Sequence, residues 1–227
     1  MPNKNVNYDS IAILLANRTY LYRLLQKLFG DEPTMETLNA LNSEFTQTSL
    51  ALLSLDDKLN NIKDFLGKLE QDQEKELDKA RSEYTRLFLG PAKLPAPPWE
   101  SVYVTKERLI FQESTLKVRE CYLKYNFLPV NYRTEADDHI ALELDFMANL
   151  SAMAEDYLAN KQIDSLLKIL DDQKSFLEEH LLAWVPDYVA DLQTATTHPL
   201  YWGAADILNW FLKVDLAVVT EIIKELK

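Results

Sequence analysis

The apolar residues of this chain recur at helical spacing over most of its length, and glycine is scarce, with 4 glycines in 227 residues. Apolar residues three to four positions apart give a helix one buried face, whereas a half-buried strand needs them at every second position. No convincing run with strand spacing occurs. We therefore predict an all-α protein, a single globular multi-helix bundle spanning residues 1 to 227, whose 47% hydrophobic residues can fill a core.

Start and stop residues divide the chain into predicted helices. Ser10 is the predicted N-cap of the first helix, and Gly30 and Gly90 are placed to end the first and fourth. Pro186 marks a predicted kink or restart in a later helix. The predicted helices cover residues 10 to 29, 33 to about 45, 57 to 69, 75 to 89, 114 to 125, 135 to 160, 162 to 170, 173 to 185 with a continuation to 194, 199 to about 212, and a last segment to 226.

Residues 90–99, GPAKLPAPPW, interrupt the helical pattern with four prolines. Such a segment cannot form a regular helix and favours extended polyproline geometry. The aromatic residues Trp99 and Tyr103 follow at once, and they are poorly suited to a solvated linker. We predict an ordered Pro-rich loop that lies over the helical body, with Trp99 partly buried.

Residues 134–147, TEADDHIALELDFM, read as the start of a long helix with Thr134 as its N-cap. On a helical wheel His139 and Glu143 fall inside a broad apolar arc, and Asp138 falls at its edge. Burying an imidazole and a carboxylate costs several kcal/mol unless each has a partner. We therefore expect another part of the chain or a ligand to meet these groups, with Asp138 at the rim, where an arginine could reach it. We also expect the loop of residues 91 to 103 to pack near the start of this helix.

Composition excludes several classes of protein. The formal net charge of −12 argues against nucleic acid as a partner and permits a basic one, such as an arginine-containing peptide. The single cysteine, Cys121, fits a reducing compartment. The sequence shows no signal peptide and no apolar run of about 20 residues that would insert into a membrane, so a cytoplasmic location is expected.

An enzyme is the alternative hypothesis. A metal-dependent helical hydrolase or oxidase would use Glu135, Asp138, His139 and Glu143. However, the chain has neither the Glu-x-x-His pairs of di-iron bundles nor a His-Glu-x-x-His zinc motif. A third possibility is a purely structural helical subunit in which His139 and Glu143 are paired internally. We assign structural roles to His180, bonded to carbonyls near a helix end, and to His198, as a capping or loop residue.

Several motifs, taken together and in this order, resemble the TorD/DmsD family of chaperones for molybdoenzymes exported by the twin-arginine pathway. The resemblance covers roughly residues 80 to 212 and the YLYRLLQKLF pattern of the first helix. One departure is Ala136, where the family motif Glu-Pro-x-Asp-His has proline. The motifs are EYTRLFLGP at 83–91, APPWESVY at 96–103, EADDHIALELDFM at 135–147, FLEEHLLAWVPDY at 176–188 and the following PLYWGAADILNWFL.

The resemblance implies an all-helical chaperone with no catalytic residues, metal or cofactor. Its partners would be the twin-arginine signal peptide and the apo-form of a client such as a DMSO or TMAO reductase-type subunit, whose export it delays until the cofactor is inserted. It would be a monomer or a weak or domain-swapped dimer. The implied leader-binding residues are Tyr84, Leu87, Phe88, Pro98, Trp99, Asp138 and His139, with possible support from Glu135, Glu143 and Phe146.

Overall fold

The computed structural model describes residues 6–90, 93–105, 107–128 and 135–227, and every regular element in these ranges is a helix. The prediction of an all-α bundle is therefore confirmed. The α-helices are α1 (Tyr8–Gly30), α2 (Met35–Leu41), α3 (Glu44–Ala51), α4 (Asn60–Gln71), α5 (Gln73–Tyr84), α6 (Glu100–Val104), α7 (Glu113–Lys124), α8 (Ile140–Ala159), α9 (Ile163–Phe176), α10 (Leu182–Ala195) and α11 (Pro199–Leu226).

Three shorter helical segments connect these elements. A 3₁₀ turn, Asp56–Leu59, precedes α4, and a π turn, Thr85–Leu89, continues α5. Gly90 ends that turn with a φ of 82°, and its N–H donates to the Thr85 carbonyl, as its predicted stop role requires. A second π turn, Leu177–Leu181, joins α9 to α10.

The core forms where α1 packs along α8 and where α11 packs against α4, α9 and α10. Gly30 marks a close approach of two of these helices. A Cβ atom added to Gly30 would lie 2.7 Å from the Cβ of Ala141 near the start of α8. Any side chain there would push α1 away from α8, so glycine serves this contact as well as ending the helix.

A buried ion pair ties α1 to α11. Arg18 Nε and Nη2 donate to the two carboxylate oxygens of Asp215 at 2.5 and 3.0 Å, and the Tyr22 hydroxyl donates to Asp215 at 2.6 Å. Arg18 and Asp215 are fully buried.

Asp215 also explains why the last predicted boundary is wrong. The break expected near Leu212 is absent, because the buried carboxylate has a partner in α1 and the helix continues to Leu226. The predicted break near residue 170 is also wrong. Asp172 bonds Lys124 at the end of α7 and Tyr125, its C-cap residue, so Asp172 belongs to an interhelical contact rather than a turn.

The central helix begins later than predicted. α8 starts at Ile140 and not at Glu135, and its N-cap is His139, whose Nδ1 accepts the Ala141 N–H at 3.1 Å. Thr134, the predicted N-cap, lies outside the described residues. The prediction of Ser10 as the N-cap of α1 is also wrong. The N-cap is Asn7, whose side chain accepts the Ser10 N–H.

We expect Asp215→Ala to lower the free energy of unfolding by about 3–5 kcal/mol, because Arg18 would remain buried without its carboxylate. The double variant Arg18→Met/Asp215→Leu removes both charges and should recover most of that loss. Urea unfolding followed by circular dichroism measures both.

The matched control is the exposed pair of Arg108 and Asp191, which meet at 2.8 Å. Asp191→Ala should change stability by no more than about 1 kcal/mol. Equal effects of Asp215→Ala and Asp191→Ala would show that burial of the first pair is not what stabilises the bundle.

Candidate functional site

The Pro-rich loop meets the start of α8 through its backbone. Trp99 and His139 form an isolated antiparallel bridge. On either side of it the Ile140 N–H donates to the Pro98 carbonyl at 2.9 Å, and the Glu100 N–H donates to the Asp138 carbonyl at 3.0 Å. The predicted proximity of this loop to the central helix is therefore confirmed. We call this contact the loop–helix junction.

The side chains of Trp99, Glu135 and His139 close the junction on its outer side. The Trp99 indole N–H donates to Glu135 Oε1 at 2.8 Å, and the Trp99 and His139 rings meet edge to face with centroids 5.6 Å apart. Trp99 is half-buried, as predicted from its sequence context. Burial lowers the pKa of His139, against the opposing effect of the Glu135 and Asp138 charges, and so favours a neutral ring.

The placement of Asp138 at the rim is wrong. Its side chain is fully buried, and Oδ2 accepts the Ser101 N–H at 2.8 Å. The first N–H groups of a helix need acceptors, and Trp99, the N-cap residue of α6, supplies none from its side chain. Asp138 therefore caps α6 from another part of the chain, and an arginine cannot reach it in this structure.

Glu143 is fully buried one turn into α8, where Oε2 accepts the Trp184 indole N–H at 3.2 Å. Its hydrogen-bond partner is internal, as the purely structural alternative expects, and is Trp184 and not His139. Burial, and after it the charges of Glu100 and Asp138, raise the pKa of Glu143 well above the ordinary value of a glutamic acid. Burial therefore favours the protonated, uncharged form of this carboxyl group.

A second polar cluster, around His180, was not predicted from the sequence. His180, in the π turn before α10, places Nδ1 2.9 Å from Glu100 Oε2, and its Nε2 lies 3.9 Å from Cys121 Sγ. The prediction that His180 bonds last-turn carbonyls is wrong. Its position one turn before the buried Trp184 could have indicated an inward-facing ring.

Opposing effects set the pKa of His180. Burial alone would lower it, but the hydrogen bonds and charges of Cys121 and Glu100 raise it to about 9. His198, in contrast, has the predicted capping role, because its Nδ1 accepts the Leu200 N–H at 3.3 Å at the start of α11.

The remaining predicted site residues lie in the core. Leu87 is fully buried, and Tyr84 and Phe88 expose 4% and 6% of their surface, which leaves them no open groove to line. Phe146 is buried as well and borders a cavity of about 150 Å³. The structure therefore brings Pro98, Trp99, Glu135, Asp138 and His139 together but does not place Leu87 and Phe88 on the same surface.

Aromatic contacts link the two groups through the core. Phe88 packs on Phe29, Phe29 on Tyr188 and Tyr188 on Trp184, with ring centroids 5.3 to 6.2 Å apart. Trp184 in turn donates to Glu143 beneath the junction. Phe88 and Glu143 thus belong to one continuous chain of packed side chains rather than to one binding surface.

A cavity of about 780 Å³ opens beside the second polar cluster, between α6, α7 and the π turn. We call it the α6–α7 cavity. Glu100, Cys121 and His180 lie on its wall, with the buried Ser114 and the exposed carboxylates Glu113, Glu120 and Glu179.

The metal hypothesis gains no support from these positions. Within residues 6–90, 93–105, 107–128 and 135–227, no three His, Cys, Asp or Glu side chains converge as metal ligands would. Over the same ranges, no helix combines the length and the apolar character needed to cross a membrane.

Known relatives place this fold and these motifs among bacterial chaperones. The family model described as "Nitrate reductase delta subunit" matches residues 49–190. The chaperone protein TorD of Aliivibrio salmonicida is 30% identical over 203 residues, which are 88% of this chain and 93% of the relative. That of Vibrio cholerae (strain O395) is 27% identical over 221 residues, 96% of this chain and 98% of the relative.

The chain therefore belongs to the family of TorD chaperones. A solved structure, described as a putative redox enzyme maturation protein from Archaeoglobus fulgidus, has the same fold with a TM-score of 0.51. It is 20% identical and covers 86% of this chain and 93% of its own. At this identity the likeness supports the fold alone.

The raised pKa of His180 predicts a pH dependence of stability. Between the ordinary value of 6.5 and about 9 the folded protein holds a proton on His180 that the unfolded chain has lost. This stabilisation, roughly 3 kcal/mol or less, is complete below pH 6.5 and disappears as the pH rises through 9. We expect wild type to lose more stability than His180→Gln between pH 6.5 and 10 in urea unfolding.

His198→Asn is the control, because burial lowers the pKa of His198 and its contribution changes only as the pH falls below the ordinary value. Its stability curve should run parallel to that of wild type from pH 7.5 to 10. A constant difference between wild type and His180→Gln across the whole range would contradict the His180–Glu100 ion pair.

Proposed function

We propose that the protein is a cytoplasmic maturation chaperone, without enzymatic activity, for an exported molybdoenzyme. It binds the twin-arginine leader of its client and delays export until the cofactor is inserted. Support comes from the TorD relatives, which are named as chaperones, and from the nitrate reductase delta subunit family to which the chain belongs. No observation favours the hydrolase or oxidase alternative.

One observation carries the leader-binding part of the proposal. Seven of the thirteen large apolar side chains that are exposed among the described residues lie between residues 104 and 128. Scattered exposed apolar residues are normal, but a concentration of them indicates a binding surface. We call this surface the α7 strip; it consists of Val104, Leu109, Ile110, Phe111, Leu116, Leu123 and Leu128.

Leu116 and Leu123 of the α7 strip share α7 with two residues that contact the loop–helix junction. α7 buries Val118 and Tyr122 against the body, while Leu116 and Leu123 face solvent. The Tyr122 hydroxyl donates to the Asp137 carbonyl at 2.8 Å, and Arg119 forms an ion pair with the Asp137 carboxylate. A peptide whose apolar stretch covers the strip would therefore lie within reach of Trp99 and Glu135.

Charge complementarity favours a cationic leader on this surface. Guanidinium groups bind carboxylates bidentately. Glu120 and Glu179 are exposed on the wall of the α6–α7 cavity, and Glu135 is half-buried at the junction. These carboxylates, and not that of Asp138, are the proposed partners of the leader arginines.

The buried residues of the predicted site contribute indirectly in this proposal. Asp138 and His139 cap α6 and α8 and thereby position Trp99. Tyr84, Leu87, Phe88, Phe146 and Glu143 belong to the packing on which the junction rests.

We expect Leu116→Gln/Leu123→Gln to weaken binding of a synthetic twin-arginine leader of a TMAO reductase-type enzyme. Loss of two apolar contacts is worth about 2–4 kcal/mol, or at least about thirtyfold in Kd. Calorimetric titration measures Kd, and thermal unfolding should show little change because both side chains are exposed.

Ile13→Gln/Leu52→Gln removes two exposed apolar side chains on α1 and next to α3 and is the matched control. It should leave Kd unchanged. If both double variants bind with the affinity of wild type, the α7 strip is not where the apolar stretch docks.

A second calorimetric titration distinguishes Glu120 and Glu179 from Asp138 as partners of the leader arginines. We expect Glu120→Gln/Glu179→Gln to reduce the preference for an Arg-Arg leader over its Gln-Gln counterpart by about 1–2 kcal/mol, roughly five- to thirtyfold. Asp138→Asn should weaken both leaders to a similar extent and so preserve the preference, because its carboxylate faces α6.

Glu36→Gln/Glu44→Gln neutralises two exposed acids on α2 and α3 and controls for net charge. The opposite result would make Asp138 the arginine partner. In that case Asp138→Asn would lose the preference for the Arg-Arg leader, and Glu120→Gln/Glu179→Gln would keep it.

A further inference from the structure

Cys121 stands in an arrangement that the leader-binding proposal does not use. It is the one cysteine of the chain and lies partly buried on α7. Its Sγ is 3.9 Å from His180 Nε2, and Nδ1 of the same ring is 2.9 Å from Glu100 Oε2. Three helical elements, α6, α7 and the π turn, thus contribute a carboxylate, a thiol and an imidazole in a row.

This order of groups is the one that activates a thiol. A carboxylate on one ring nitrogen fixes the imidazole so that the other nitrogen faces the sulfur. His180 carries a proton near neutral pH, because Cys121 and Glu100 raise its pKa to about 9 against the effect of burial. An imidazole held against a cysteine sulfur in this way is the arrangement that makes a thiol a nucleophile.

Cys121 lies next to a cavity that could hold a ligand. Cys121, His180 and Glu100 lie on the wall of the α6–α7 cavity, whose volume is about 780 Å³. The Ser114 hydroxyl lies on the same wall, is more than nine-tenths buried and has no hydrogen-bond partner among the described residues. A buried hydroxyl left in this state is a group that a ligand in the cavity would satisfy.

The charges on the cavity wall select the ligand. Lys117 pairs with Glu113 at 3.1 Å, and Lys124 pairs with Asp172 at 2.5 Å. Among the described residues the Glu120 carboxylate forms no ion pair, and neither does that of Glu179. The charge left over is negative, so a cationic group is preferred to an anionic one.

We propose that Cys121 is a reactive thiol that exchanges with low-molecular-weight disulfides carrying amino groups and retains one half of the disulfide in the α6–α7 cavity. The thiolate attacks one sulfur of R–S–S–R, a Cys121 Sγ–S bond forms and the original S–S bond breaks. The other half leaves as the thiolate RS⁻ and takes a proton from water. Cys121 is oxidised, the departing half is reduced, and a free thiol reverses the step.

The proposal is independent of the leader and is tested on the free protein. Because the chain has one cysteine, intact-mass spectrometry counts a single adduct. Wild type is treated with cystamine and, in parallel, with 3,3′-dithiodipropionate, which has similar size and opposite charge. The reference thiol is Cys121→Ser/Thr220→Cys, which moves the cysteine to an exposed position on α11.

We expect wild type to react with cystamine about tenfold or more faster than the reference thiol, and faster than it reacts with dithiodipropionate. His180→Gln and Glu100→Gln should remove most of this advantage while circular dichroism remains that of wild type. If either variant fails to fold, the comparison of wild type with the reference thiol still decides. A wild-type rate equal to or below that of the reference, or no preference for the cationic disulfide, would overturn the proposal.

Discussion

The carboxylate of Asp138 is the group on which the site depends. α6 has five residues and is too short to be stable alone. It persists because Asp138 caps its first turn and because the backbones of residues 98–100 and 138–140 bond to each other. With α6 held in this place, Glu100 faces His180, and Tyr103 stacks on Trp184 at 5.6 Å between ring centroids.

The bundle buries several ionisable groups and gives each a different form of compensation. Asp215 forms a bidentate ion pair with Arg18, burial raises the pKa of Glu143 and favours its uncharged form, and Glu100 pairs with a charged His180. Each solution avoids an isolated buried charge, which would cost far more than the pairing gains. Two of these groups, Glu143 and Glu100, lie beneath the loop–helix junction, so the stability of the core and the shape of the candidate site are set together.

The surface around this core has the opposite character. α7 presents exposed leucines at Leu116 and Leu123 next to exposed carboxylates such as Glu120, although the protein is strongly acidic overall. An apolar strip bordered by acids complements a peptide that has arginines beside an apolar stretch. Val104 of the same strip lines the α6–α7 cavity, on whose wall Cys121 also lies.

The sequence by itself determined the helical class, because apolar spacing states which face of each segment is buried. It also indicated local end signals such as Gly90 and His198, and it placed the loop near Trp99 beside the central helix. Only the tertiary structure decided the partners of buried polar groups. Asp138 caps α6, so α8 begins at Ile140 instead of residue 135, and Asp215 meets Arg18 across 197 positions, so α11 does not break. The spacing of apolar residues indicates that a side chain faces inward. The group that contacts this side chain comes from a distant segment, whose position depends on the packing of the whole chain.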